Sequence, residues 1–256
     1  MWDEPRLLNT AANALFALAL ALVAYAAAAM VANSPAFPLR AIRIQGDLEH
    51  VSRGQIVDAL QGRVSGTFFS VDVEAIRSMF QTLPWVRRAE VRRRWPDRLE
   101  VRLEEHVALA RWGKEAEGQL VNSYGELFAG RIEAQRGAEL PQFAGPAGTH
   151  QEVARRYALF RDLLAPLSLE PRAVALSQRL SWQLRLSNGL AVQLGRDSER
   201  DSVRERLARF VEVYPRTLGR LSRRFDYVDL RYPNGFALRV PEILRTEPRK
   251  PTRGKA

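Results

Sequence analysis

The chain has 256 residues, 46% of them hydrophobic, which is enough for one large domain or two small ones with real cores. Its formal net charge is +10, and arginine far outnumbers lysine, so acidic partners, nucleic acid or an anionic membrane surface are the natural counterparts. There is no cysteine, which excludes disulfides, thiolate chemistry and Cys-based zinc sites.

From Leu7 to Leu39 no residue is charged, and Asn9 to Ala32 reads as a continuous apolar helix carried by Leu15, Phe16, Leu18, Leu20, Leu22 and Val23. Such a helix is ~36 Å long, sufficient for a hydrocarbon core of ~30 Å. The Ala-rich run also offers small-residue cleavage sites, but the apolar stretch exceeds the ~7–15-residue core of a signal peptide. The simplest topology is a cytoplasmic head (1–8), one transmembrane helix (9–32) and a large exported part.

Ser34 to Pro38 is a short linker. Leu39–Gly46 alternates, with Ile42 and Ile44 on one face, and reads as a strand. Ser52 and Gln55 form a capping box for a helix that buries Ile56, Val57 and Leu60. Asp72 caps a second helix with Ile76, Met79, Phe80 and Leu83 as its apolar stripe, ended by Pro84. Two strands follow, Val86–Arg94 and Arg98–Val107, joined by Trp95-Pro96-Asp97. A three-residue loop sets Val91 opposite Val101 and Ala89 opposite Leu103. It also sets Arg92, Glu90 and Arg88 against Glu100, Arg102 and Glu104, three opposite-charge cross-strand pairs on one face. The module is β-α-α-β-β.

The remainder, 107–243, reads as a mostly antiparallel β domain with two helices. Strands are expected at Gln119–Asn122, Glu126–Ala129, Ala173–Ser177, Trp182–Ser187 and Leu190–Leu194, the last two joined at Asn188-Gly189. Thr149 with Glu152, and Ser198 with Asp201, are expected to cap the helices. These carry Val153, Tyr157, Phe160 and Leu164, and Val203, Leu207, Phe210 and Val211. The last hairpin is Phe225–Tyr232 and Phe236–Val240, turning at Pro233-Asn234-Gly235. Phe236, Leu238 and Val240 are expected on its core-facing side. The basic tail, 244–256, reads as disordered. The fold class is α+β.

Chemistry-bearing patterns are scarce. His50, His106 and His150 have no metal-ligand spacing and read as scattered surface residues. No Gly-x-Ser-x-Gly elbow, phosphate loop or dinucleotide fingerprint occurs, so no enzyme, cofactor or small-molecule substrate is expected. Glu104-Glu105 is a carboxylate pair whose members point to opposite faces. The arginines from Arg87 to Arg102 interleave with glutamates, which weakens phosphate binding, so nucleic acid is not an expected partner. A solvated strand face accounts for them, with an anionic membrane surface or an acidic partner as the alternatives.

Residues 37–106, with the motif PWVRRAEVRRRWPDRLEVRLEEHVALARW at 84–112, resemble a POTRA domain, a module found in several families. SWQLRLSNGLAVQLGR (181–196), RLARFVEVYP (206–215) and YVDLRYPNGFALRV (227–240) resemble the FtsQ/DivIB family in its proteobacterial form. That resemblance covers nearly the whole chain. It implies a cell-division scaffold of the inner membrane, with its bulk in the periplasm at the septum. It binds the divisome proteins FtsB and FtsL there, linking early to late division proteins to control septum assembly. The implied FtsB site lies on the C-terminal edge strand: Arg231, Tyr232, Asn234, Gly235 and Arg239, with Phe236 and Leu238 in the same strand and Arg179 as a neighbour. Arg231 would face a partner carboxylate. The alternative is a POTRA-bearing protein of transport or outer-membrane assembly, which would be expected to carry a β-barrel.

Overall fold

The computed structural model describes residues 5–62, 64–113, 118–132, 139–199, 201–217, 225–232 and 235–239. The chain divides into two compact units, 1–106 and 107–256.

The first unit opens with α1 (Pro5–Ala32), in which Asn9–Ala32 is long and apolar enough to cross a membrane. Leu15, Phe16, Leu18, Leu20, Leu22 and Val23 are all exposed around it. Such a surface is unfavourable in water and suited to lipid. Then come β1 (Ala41–Gln45), α2 (Arg53–Leu60), α3 (Val73–Gln81), β2 (Val86–Arg94) and β3 (Arg98–Glu105). Their sheet has the order β1-β3-β2, with β1 parallel to β3 and β2 antiparallel to it. Gly46 follows β1 at φ +146°, where a Cβ would lie 2.3 Å from the Leu103 carbonyl oxygen, so the position requires glycine. The Ser52–Gln55 capping box and the Asp72 cap are both formed. Ile56, Val71, Ile76, Met79, Phe80, Leu99, Val101 and Leu103 are buried between helices and sheet. Val57, expected in this core, is instead exposed. It lies one residue, or ~100° around the helix, from the buried Ile56.

The β2–β3 register is as expected, including Val91↔Val101, Ala89↔Leu103 and the three charged pairs. The ion contacts, however, run along the strand and diagonally. Arg88 and Arg92 both reach Glu90, Arg94 reaches Glu100, and Arg87, beside the bulge, reaches Glu104. Long arginine side chains meet neighbours two residues away as readily as those directly opposite.

Glu104 is exposed, whereas the Glu105 side chain is buried and organises a loop. Its carboxylate accepts from the backbone N–H groups of Glu49, His50 and Val51. His50 also places Nδ1 3.2 Å from this carboxylate and stacks on Trp85 at 3.7 Å. His150 holds the Gly125 carbonyl at 2.6 Å. His50 and His150 are thus half-buried structural residues rather than surface ones.

The second unit contains β4 (Ala108–Trp112), β5 (Gln119–Asn122), β6 (Leu127–Ala129), β7 (Gln142–Ala144), α4 (His150–Leu164), β8 (Pro171–Leu176), β9 (Ser181–Leu186), β10 (Ala191–Arg196), α5 (Val203–Val213), β11 (Tyr227–Asp229) and β12 (Ala237–Arg239). They form one nine-stranded sheet of order β12-β11-β10-β9-β8-β7-β4-β5-β6. Five pairs are antiparallel, while β4–β7, β7–β8 and β10–β11 are parallel. The alternation in β9 buries Trp182, Leu184 and Leu186 and exposes Gln183 and Arg185. The buried rows meet Phe160 and Leu164 of α4 and Leu207 and Phe210 of α5 in one core.

Neither helix is capped as expected. The Thr149 hydroxyl donates to the Pro146 carbonyl, while Glu152 pairs with Arg155 and Arg156. The second box forms four residues later, between Ser202 and Glu205, and Ser198 instead closes a local turn on Asp201. Strands β4 and β7 had no strand signal of their own. β4 follows β3 after only His106-Val107, and β7 is three residues long.

Replacing Glu105 with alanine leaves three backbone donors of this loop without their acceptor, two of them partly buried. It should lower stability by about 2–4 kcal/mol, measured by denaturant unfolding, with Glu105→Gln retaining part of the loss.

Candidate functional site

The C-terminal end of the nine-stranded sheet is an open edge. Among the described residues β12 pairs with β11 alone, through Tyr227↔Arg239, Val228↔Leu238 and Asp229↔Ala237. Its three residues are exposed, and among the described residues its outer row of backbone groups faces no strand. Leu238, expected in the core, is 38% exposed. It lies on the last strand of the sheet, beside which the described residues place no further strand. Phe236 does turn inward and meets Phe210 of α5 edge-on at 6.4 Å. Asn234, Pro233 and Val240 lie outside the described residues.

The edge is supported by a polar knot beneath it. Asp229 is buried and binds Arg231 in two ways: the Arg231 backbone N–H donates to its Oδ1, and the guanidinium reaches both carboxylate oxygens, the nearest contact being 2.6 Å. The hydrogen bond from Arg231 holds the Asp229 carboxyl below the usual carboxylate range, against the opposing effect of burial. Arg231 is therefore paired within its own chain, although its side chain is more than half exposed. Its aliphatic part lies on Gly195, where φ is +81° and a Cβ would come within 2.8 Å of both Arg231 Cγ and Arg206 Nη1. Gly195 follows an irregularity in the β9–β10 register.

Arg206 is buried on the inner face of α5. It donates to the carbonyls of Leu194, Arg196 and Asp201, and its Nε lies 3.1 Å from the Asp201 carboxylate. Arg206 and Asp229 were not singled out from sequence. The available signal was an arginine within the apolar spacing of Val203, Leu207 and Phe210.

Two clefts flank the edge. One, of about 300 Å³, lies between α5 and the segment after β11, lined by Arg209, Phe210, Val213, Leu230, Tyr232, Gly235 and Phe236 with Arg206. The other, of about 330 Å³, is lined by Tyr227, Ala237, Leu238 and Arg239. The edge thus offers an apolar floor, exposed Tyr232 and several guanidinium groups. Arg179 is exposed in the turn between β8 and β9. Its turn lies at the same end of the sheet as the segment following β11, because Ser181 pairs with Arg196 and Gln193 with Asp229. It is three strand spacings from β12, or ~14 Å across the sheet. The structure brings Arg231, Tyr232, Gly235, Phe236, Leu238 and Arg239 to one edge and sets Arg179 apart from them. Among the described residues no three metal-ligating side chains cluster.

A helix long and apolar enough to span a membrane, a small β-α-α-β-β module and a mixed sheet whose terminal strand, among the described residues, is paired on one side only define a membrane-anchored protein built around a POTRA domain. The family model for the FtsQ-type POTRA domain matches residues 37–106, and that for the C-terminal region of the cell division protein FtsQ/DivIB matches residues 110–231. Proteins named cell division protein FtsQ are similar over nearly the whole chain. That of Burkholderia pseudomallei is 44% identical over 240 residues, 94% of each chain. That of Nitrosospira multiformis is 40% identical over 93% of this chain and 99% of its own, and that of Bordetella pertussis 39% over 95% and 94%. The chain belongs to the FtsQ/DivIB family of cell division proteins. The C-terminal match ends at Arg231, so Tyr232 to Arg239 lie beyond it.

Because its pKa is lowered on folding, Asp229 stabilises the fold above the ordinary aspartate pKa and loses this contribution as pH falls through its folded value. Asp229→Asn should therefore cost about 1 kcal/mol at neutral pH. The difference from wild type should shrink below about pH 4, in unfolding curves taken from pH 7 to 2.

Proposed function

We infer that this protein is a non-enzymatic divisome scaffold whose terminal edge strand receives a segment of FtsB, in complex with FtsL, by β-augmentation. Its domains in this reading are a cytoplasmic head (1–8), the span (9–32), the POTRA domain (37–106), a periplasmic β domain (107–243) and a basic tail (244–256). It acts at the septum and links early to late division proteins.

The observation that carries this reading is the outward edge of β12, which faces no other strand among the described residues. An incoming strand would satisfy these backbone groups and extend the sheet. Tyr232 and Leu238 are exposed beside the edge and suited to burial by such a segment. Arg239 supplies charge for an acidic partner, while Arg209, bound to Asp201, and Arg231, bound to Asp229, offer their remaining donors. Asn234 belongs to the proposed site by family resemblance. Arg179 would meet the same partner only if that partner extends across the end of the sheet.

The test uses the full chain in nanodiscs with the periplasmic fragment of FtsB from the same organism, followed by calorimetry. Tyr232→Ala and Arg239→Glu should each weaken binding about tenfold or more, and Arg179→Glu by less. Wild-type binding that survives both edge changes would move the site elsewhere. No binding by folded wild-type protein would overturn the FtsB reading.

A further inference from the structure

The end of the POTRA domain nearest the membrane span carries an aromatic and basic surface that the FtsB reading does not use. Trp95, at the tip of the β2–β3 hairpin, is 78% exposed, and Phe69 is 44% exposed. Arg40, Arg92, Arg94 and Arg98 each have more than half of their side chain in solvent. Glu90, Asp97 and Glu100 offset part of this charge, Glu90 beside Arg92, Asp97 beside Arg40 and Arg98, and Glu100 beside Arg94.

Hydrogen bonds fix this surface next to the exit from the span. The Thr67 hydroxyl donates to the carbonyl of Ala32, the last residue of α1. The Phe68 N–H donates to the Phe37 carbonyl, and the Phe37 and Phe69 rings meet edge-on at 5.1 Å. Arg93 ties β2 to the same loop through the carbonyls of Phe68 (2.9 Å) and Val71 (2.7 Å). The Arg40 N–H donates to the Asp97 carbonyl at the hairpin tip. Arg40 is the eighth residue after Ala32, so even an extended tether would hold the tip within ~28 Å of the end of the span.

We propose that the Trp95 hairpin tip, with Phe69 and the surrounding arginines, docks onto the anionic lipid headgroups of the membrane that α1 spans. Tryptophan favours the headgroup level, where its ring meets apolar and polar surroundings together. Arginines within a Debye length of an anionic surface are attracted to it, and their stems contribute apolar contact. Tethering supplies a high effective concentration, so a patch too weak to recruit a free protein is sufficient here. Docking would restrict the orientation of the POTRA domain on the bilayer.

The test uses the full chain reconstituted in vesicles that mix phosphatidylglycerol with phosphatidylcholine brominated on its acyl chains. Bromine quenches tryptophan at short range. The difference between wild type and Trp95→Phe isolates Trp95 from the other four tryptophans. Trp95 should be quenched in the anionic vesicles and released by added salt. In a triple variant, Arg40→Gln, Arg94→Gln and Arg98→Gln, the ratio of docked to undocked tip should fall at least about tenfold. All three side chains are largely exposed, and an unchanged melting curve checks that the fold is intact. Trp95 that remains unquenched, and open to aqueous iodide as in detergent, would overturn the proposal. Quenching that persists undiminished in the triple variant or in vesicles lacking phosphatidylglycerol would overturn the assignment to anionic headgroups.

Discussion

The parallel pairing of β10 and β11 is the constraint on which the C-terminal architecture depends. Two parallel strands need a crossover between them, since a tight turn would make them antiparallel. Here α5 lies within the connection and packs against the sheet through Val203, Leu207 and Phe210. The chain then returns along β11, turns and adds β12 at the end of the sheet. The helix, the cleft beside it and the terminal edge are thus consequences of one crossover. A hairpin in its place would have left neither the helix beside the edge nor the cleft between them.

The polar knot under β11 shows how such an edge is held without being covered. Asp229 is buried, and its partner Arg231 lies across Gly195, where only a residue without a side chain fits. Arg206 gathers the carbonyls of Leu194, Arg196 and Asp201, tying the end of β10 to the start of α5. Ion pairs anchored on a buried group contribute little net stability, so they fix geometry more than they add energy. The geometry fixed here is that of the edge. Arginines along an exposed strand also discourage indiscriminate pairing while remaining compatible with an acidic segment.

In the POTRA domain the corresponding device is a carboxylate. Glu105, at the end of β3, gathers three backbone N–H groups of the loop before α2. At the opposite end of the same strand, parallel pairing with β1 brings the hairpin tip beside the chain leaving the span. A three-stranded sheet therefore has one end organised by an internal ionic loop and the other presented towards the anchor. This polarity follows from strand order, because β3 is central and both neighbours take their register from it.

Much of this organisation is set by local sequence. The apolar run of α1, the Ser52 and Asp72 caps, the Asn188-Gly189 turn and the β2–β3 register are legible because each depends on residues close together in the chain. The family resemblance points to Arg231, Tyr232, Asn234, Gly235, Phe236, Leu238 and Arg239, and the turn residues point to the hairpin itself. What local pattern did not determine was which neighbours each side chain would meet. Leu238 alternates like a core residue but lies partly exposed on the last strand of the sheet. Arg231 looks available to a partner carboxylate until Asp229, two residues away, turns inward beneath it. Arg206 looks solvated until the sheet brings carbonyls to it from β10. Strands β4 and β7 exist because neighbouring strands complete their hydrogen bonds, a property of the assembled sheet. Sequence thus determined the elements whose stabilising contacts are local, and tertiary structure decided burial, pairing and the open edge, because these depend on groups distant in the chain.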